Sequence, residues 1–272
     1  MPVTVKTFSS SSDAAAALSS DRGARYLGGG MLVMRALNEG DVSISTMVRA
    51  NDHALNRIEA SGPRVTLGAG VTFARILAER DLAFLHAPAR SIGGPAVRNM
   101  GTVGGNLFAP NPYGDFTVAL LALDATIAVL GGFGARDIPI EEFLQSRERQ
   151  AGMLVLSVSC TRPASAEAFR YRKIARIRPK GGSVITLAAH LPISGGRIAG
   201  ARIALGSMAP TQIRARAAER ALEGRSLDGA AISAAAAAAT EGTSPADNAL
   251  GSAWYRREIV GVHLRRLLSG QE

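Results

Sequence analysis

The chain has 272 residues, 47% of them hydrophobic, enough to bury a sizeable core and to form two or three compact units. It carries 31 Lys and Arg against 22 Asp and Glu, a net charge of +9, with only 5% aromatic residues. The basic residues are spread along the chain, with short concentrations at 173–180 and 256–266, and aromatics do not interleave with them. That distribution argues against nucleic acid and for a solvated or subunit-facing surface.

No run of about 18 uncharged apolar residues is present, so no membrane span is expected. The first 23 residues hold no sustained apolar stretch of the kind a secretory signal needs. The one cysteine, Cys160, lies in the strand-like MLVLSVSCT and reads as a small buried hydrophobe; it leaves no thiolate set for an iron–sulfur cluster. A reducing cytoplasm suits this composition.

In chain order, a helix is expected at 12–18, capped by the serine–aspartate cluster. Strands are expected at 25–28, 42–48 and 64–68, with helices at 31–37 and 72–80. A subdomain boundary falls near 56–63. Residues 115–124 read as a helix, 125–131 as a strand, 138–144 as an IPIEEFL segment and 153–161 as another strand. Beyond Pro163 the pattern changes. Two β-branched runs at 183–191 and 197–206, joined by Ser-Gly-Gly, read as a hairpin. Helices follow at 211–222, stopped by Gly224, at 228–239 and at 252–268. In the last, Ile259, Val262, His263, Arg266 and Leu267 recur at helical spacing and predict the packed face. The chain divides into 1–60, 61–164 and 165–272.

Two glycine-rich stretches carry the chemistry. Residues 25–35, RYLGGGMLVMR, run from a short apolar entry through Gly28, Gly29 and Gly30 into a helix-compatible stretch, which gathers free N–H groups beside a positive helix end. Residues 98–115, RNMGTVGGNLFAPNPYGD, hold Gly101, Gly104 and Gly105, where the missing β-carbon lets an anion approach the main chain. Thr102 and Asn106 add side-chain donors there. Asp115 ends the stretch, placed to accept from a ribose or ribityl hydroxyl or to cap a helix. A single glycine turn is more often only a turn; a pair suggests a diphosphate held from two sides. Neither stretch fits G-x-G-x-x-G, so a Rossmann site is poorly supported.

With LGAGVTFARI at 67–76 and ARSIGG at 89–94 between them, the two stretches make the chain resemble the FAD-binding medium subunit of molybdenum hydroxylases, the group that includes the flavin domain of xanthine dehydrogenase and the flavoprotein of carbon monoxide dehydrogenase. The likeness runs from about residue 8 to 268, and RNMGTVGGNL is its most specific block. It implies an α+β flavin-binding fold of two α+β subdomains followed by a smaller C-terminal α+β domain. It implies FAD contacts at Leu27, Gly28, Gly29, Gly30, Met31 and Leu32 in the first loop. Thr102, Val103, Gly104, Gly105 and Asn106 carry them in the second, with Asp115, Ile92, Leu154 and Lys173 elsewhere. Met31 departs from the family's usual Ser or Thr, and a thioether cannot donate a hydrogen bond. The resemblance further implies a molybdopterin-containing large subunit, an iron–sulfur small subunit and a hetero-oligomer, a dimer of heterotrimers, in which electrons reach an external acceptor through the flavin.

Other residues offer little chemistry. His53, His86, His190 and His263 are scattered, so no metal site is expected. Ser91 and Ser207 lack a G-x-S-x-G context. Glu141 and Glu142 read as surface charges. Tyr113 either shields the flavin or is an exposed loop aromatic. A stand-alone FAD-dependent reductase of similar fold would need its own proton donor, and none is evident; a non-enzymatic basic nucleic-acid-binding or scaffold protein would leave both glycine stretches as mere turns.

Overall fold

Local chemistry starts the first helix. The Ser10 hydroxyl accepts from the Asp13 N–H at 3.1 Å, satisfying an orphan donor of the first turn. In this computed structural model, which describes residues 2–110, 113–132, 134–150, 152–177 and 181–271, the first unit comprises β1 (Thr4–Phe8), α1 (Ser11–Ser20), β2 (Ala24–Tyr26), α2 (Val33–Asn38) and β3 (Thr46–Ala50). Its strands are parallel in the order β1-β3-β2. Ala14, Ala15 and Leu18 of α1 pack against Val48 and Leu154. The strand expected at 42–48 starts later, at Thr46, and Val42 is 94% exposed.

The second unit follows as β4 (Ile58–Glu59), β5 (Arg64–Gly68), α3 (Phe73–Ala78), α4 (His86–Arg90), α5 (Pro95–Met100), α6 (Val103–Leu107), α7 (Asp115–Ala122), β6 (Thr126–Gly131), β7 (Gly134–Pro139), α8 (Ile140–Gln145) and β8 (Leu154–Thr161). Its sheet is antiparallel, ordered β4-β5-β8-β6-β7. Alternation along the strands sends Val65, Leu67, Ile127, Val129, Val158 and Cys160 into the core. Thr66 and Ser159 face outward and hydrogen bond to each other at 2.8 Å. All eight residues of α7 are buried, because the helix runs between this sheet and the C-terminal one.

The third unit contains β9 (Phe169–Ala175), β10 (Ser183–His190), β11 (Ile193–Ser194), β12 (Arg197–Ile198), β13 (Arg202–Gly206), β14 (Ile213–Arg214), α9 (Arg216–Leu222), α10 (Gly229–Ala237) and α11 (Ala253–Leu268). The four-stranded antiparallel sheet is ordered β14-β13-β10-β9. Ile185, Leu187 and Ala189 of β10 join the cluster under the helices, while Ala188 joins the cluster that contains α7.

In this unit one expectation holds and two are corrected. The expected hairpin forms, since β10 pairs antiparallel with β13, and the Ser-Gly-Gly turn closes the small β11–β12 ribbon between them. The sequence gives no expectation for β9, whose Arg170 guanidinium donates to the Leu267 and Leu268 carbonyls at the carboxyl end of α11. Residues 211–222 are not one helix, since Ile213–Arg214 pairs with β13 and the helix begins at Arg216. The buried side of α11 is Arg256, Val260, Leu264, Leu267 and Leu268, with Val262 half exposed.

Arg256 rotates that stripe. It is 1% exposed, and its guanidinium donates to the Val184 carbonyl at 2.9 Å, the Gly251 carbonyl at 2.7 Å, the Ala246 carbonyl and Asn248 Oδ1 at 2.7 Å. Replacement by Ala strands these acceptors. Arg256→Ala is therefore expected to lower unfolding stability by about 2–4 kcal/mol in a urea titration, with Arg256→Lys failing to restore it because an ammonium lacks the planar fork.

Cys160 is fully buried, and burial pushes its thiol from 9.0 up to about 12. The native thiol stays protonated and unreactive toward a disulfide reagent at about pH 8, becoming reactive only on unfolding. Because the unfolded thiol ionises first, its contribution to stability is complete below pH 9.0 and is lost as pH rises toward about 12. Rapid labelling of the folded chain would contradict this.

Candidate flavin site

The first glycine loop begins where β2 leaves its sheet. The Leu27 N–H makes the last ladder-like bond, to the Val48 carbonyl at 2.7 Å. From Gly28 through Val33, the backbone N–H groups have no hydrogen-bond partner among the described residues. Gly30 takes a left-handed conformation, φ +74°, and its carbonyl accepts from the Met34 N–H at 3.0 Å. A run of free N–H groups around a left-handed bend is an anion-binding concavity.

The two loops meet backbone to backbone. A β-carbon on Gly29 would lie 1.7 Å from the Met100 carbonyl oxygen, and one on Gly28 would lie 3.4 Å from Thr102 Oγ1. Only glycine fits at 29. Neither α2 nor α5 buries a residue, and Met31, Met34, Val97 and Met100 are exposed around the junction.

The second loop uses its amides differently from expectation. The Val103 N–H donates to the Val71 carbonyl, Gly104 to the Ala69 carbonyl, both at 2.9 Å, and Asn106 to the Thr102 carbonyl at 3.0 Å. The Gly105 N–H donates to Thr102 Oγ1 at 3.1 Å. Gly104 is buried, and a β-carbon there would meet the Ala69 β-carbon at 2.7 Å. Its lack of a side chain serves packing between α6 and the turn after β5, where an anion's approach was expected. Asn106 Oδ1 accepts from the Thr117 N–H at 3.1 Å and the Thr117 hydroxyl at 3.0 Å, which leaves the Asn106 NH2 uncommitted among the described residues. Asn111 and Pro112 of this stretch lie outside the described residues, as does Lys180 of the basic cluster.

Asp115 begins α7 after Gly114, whose φ is +95°. Its carboxylate is buried and already engaged: Oδ2 pairs with Lys173 Nζ at 2.8 Å, and Oδ1 accepts from the Ser183 and Thr186 hydroxyls. Lys173 Nζ also donates to the Ser91 carbonyl at 3.0 Å, so one of its three N–H bonds is left. The Ser91 hydroxyl gives its single proton to the Pro88 carbonyl at 2.7 Å. Tyr171, 2.8 Å away, must therefore donate to Ser91 Oγ. Burial first, and then the charge of Asp115, push the Tyr171 phenol well above its ordinary pKa, which keeps that proton in place.

Ile92 follows Ser91 at the edge of the main core, half buried. Lys173 and Tyr171 stand two residues apart on β9 and share a face. Of the residues singled out by sequence, Ile92, Asp115 and Lys173 form one group. Leu27 to Leu32, Thr102, Gly105 and Asn106 form another. Helix α7, which carries Asp115, joins the two through the Thr117–Asn106 bond. Leu154 does not belong to either: it is 0% exposed within the α1 core, so its side chain offers no surface to a ligand. Val103 is equally buried. Thr117, Ser183 and Thr186 escape a sequence reading, because ordinary strand and helix positions carry no pattern, and Ser91, weighed only as a nucleophile, serves instead through its carbonyl and hydroxyl. Tyr113 is 45% exposed, with the Arg35 guanidinium 5.8 Å from its ring centroid. Among the described residues no cluster of His, Cys, Asp or Glu is arranged to hold a metal, and no helix is long and apolar enough to cross a membrane.

Comparison with known proteins identifies the family. Residues 3–160 match the FAD binding domain in molybdopterin dehydrogenase, and residues 170–270 match the CO dehydrogenase flavoprotein C-terminal domain. The chain is 31% identical to the carbon monoxide dehydrogenase medium chain of Afipia carboxidovorans over 77% of its length and 75% of that protein's. It is 28% identical to the nicotine 6-hydroxylase medium subunit of Paenarthrobacter nicotinovorans, over 94% and 92%. It superposes on a chain of carbon monoxide dehydrogenase from Hydrogenophaga pseudoflava with a TM-score of 0.89 at 25% identity, covering 99% of this chain and 96% of that one. The chain belongs to the FAD-binding subunits of the molybdenum hydroxylases, a family of oxidoreductases.

Proposed function

We propose that residues 1–164 hold FAD across the two loops, that 165–272 supply the Lys173 wall, and that the chain is the electron-transfer subunit of a cytoplasmic complex with a molybdopterin-containing large subunit and an iron–sulfur small subunit, assembled as a dimer of heterotrimers. The run of uncommitted N–H groups from Gly28 to Val33, held against the second loop by Gly29, is the observation that carries the reading. When bound, FAD supplies the chemistry that lets electrons from a partner's iron–sulfur clusters pass to an external acceptor.

In this reading Leu27 to Leu32 hold the diphosphate through main-chain amides. Thr102, Gly105 and Asn106 shape the opposite wall, and the Asn106 NH2 donates to the ligand. Lys173 offers its remaining N–H to the ring while Ser91 and Asp115 fix where that ammonium stands. Asp115, fully used by three partners, acts by positioning Lys173. Ile92 excludes water beside it. The absence of cysteine ligands, apart from one buried thiol, leaves the clusters to a partner chain.

The direct test is flavin content. Wild type is expected to purify yellow or to take up about one FAD per chain on reconstitution; a colourless chain that takes up none would sink the proposal. Gly29→Ala forces the Met100 carbonyl away and is expected to abolish FAD retention.

Met31→Thr adds a hydroxyl donor to the first loop and is expected to tighten FAD by about tenfold or less, within the worth of one hydrogen bond, in a fluorescence titration. Unchanged or weaker binding would remove Met31 from the site.

A further inference from the structure

We propose that Met31, Met34 and Met100 form a reversible oxidation site beside the first flavin loop, and that their conversion to sulfoxides loosens FAD; this rests on the FAD reading above. Of the methionines among the described residues, these three are 42%, 41% and 53% exposed, whereas Met47 and Met208 are buried and Met153 packs half-buried against the main core. The exposed three share one place. Met31 follows the left-handed Gly30, a β-carbon on Gly30 would lie 3.5 Å from Met34 Cγ, and Met100 is the residue whose carbonyl meets Gly29. Neither α2, which carries Met34, nor α5, which carries Met100, buries a residue, so these thioethers add little to a core.

Exposure opens them to hydrogen peroxide. The oxidant transfers one oxygen atom to sulfur: the S–O bond forms as the O–O bond breaks, the sulfur loses two electrons, and the peroxide leaves as water. The product is polar, and methionine sulfoxide reductases return it to the thioether, so the change is reversible.

The loop gives the change its consequence. The N–H groups from Gly28 to Val33 have no partner among the described residues, and a thioether beside them is only a weak acceptor. A sulfoxide oxygen on Met34 is a strong acceptor, held two bonds beyond a Cγ that already lies against Gly30. It competes with the diphosphate for the same main-chain donors. Sulfoxides at Met31 and Met100 add polar bulk where the two loops meet. Bound FAD takes up those donors and covers the loop, so the oxidation falls on the empty chain first.

The full chain, empty and FAD-loaded, is treated with hydrogen peroxide beside Met34→Leu and a triple variant, Met31→Leu with Met34→Leu and Met100→Leu. Oxidation is mapped by peptide mass spectrometry, and FAD affinity is read against each chain's own untreated sample. Wild type is expected to gain oxygen at 31, 34 and 100 before 47 and 208, faster when empty, to bind FAD about tenfold or more weakly, and to recover with methionine sulfoxide reductase. Leucine conserves the side-chain volume, so Met34→Leu is expected to lose most of this response and the triple variant all of it. Three oxidised methionines with unchanged FAD affinity would overturn the proposal. Resistance of the three sulfurs to peroxide, an equal loss of affinity in the triple variant, or a loss that tracks unfolding by circular dichroism would overturn it as well. An untreated wild-type chain that takes up no FAD overturns the FAD reading and the switch with it, a result seen before any peroxide is added.

Discussion

A contact without side chains organises this protein. Gly29 stands so close to the Met100 carbonyl that no other residue fits, and that approach joins the parallel first unit to the antiparallel second. It also divides labour between the two glycine loops. The second is tied into its own unit by bonds to Val71, Ala69 and Thr102, so it is a wall. The first, anchored only by its ends, keeps its N–H groups for something else. An unsatisfied run of main-chain donors costs free energy if it is sealed from water, and water or an anion can meet that demand.

The third unit is fastened by charge. Asp115, Lys173, Ser183 and Thr186 form a buried set that spans the α7–β10 boundary, with Ser91 and Tyr171 continuing it. Burying a carboxylate and an ammonium together is costly unless nearly every hydrogen bond is made, and here the carboxylate has three partners. The ammonium keeps one bond free, so a group that holds the fold together also presents a directed positive charge. Removing either partner leaves the other charge stranded.

Local signals were legible in sequence and distant ones were not. Ser10, Thr72, Asp228 and Ser252 each cap the helix that follows within three residues, so the starts of α1, α3, α10 and α11 fall within a residue or two of expectation. The glycine pairs stood out by composition. What they touch did not, since Met100 lies 71 positions beyond Gly29 and Ala69 lies 35 before Gly104. Strand β9 hid because its alternate arginines look solvated until α11 folds over their ends. Arg256 misled the reading of α11 because a guanidinium satisfied by carbonyls is as buried as a leucine. Leu154 followed a family position, yet in this chain it points into the α1 core.

Amide hydrogen exchange, with and without FAD, reads the division between the loops directly. Amides 28–33 are expected to exchange fast in the free chain and slow sharply on adding FAD, while 103–106 are already slow and change little. Protection appearing at 103–106 with 28–33 unaffected would contradict it.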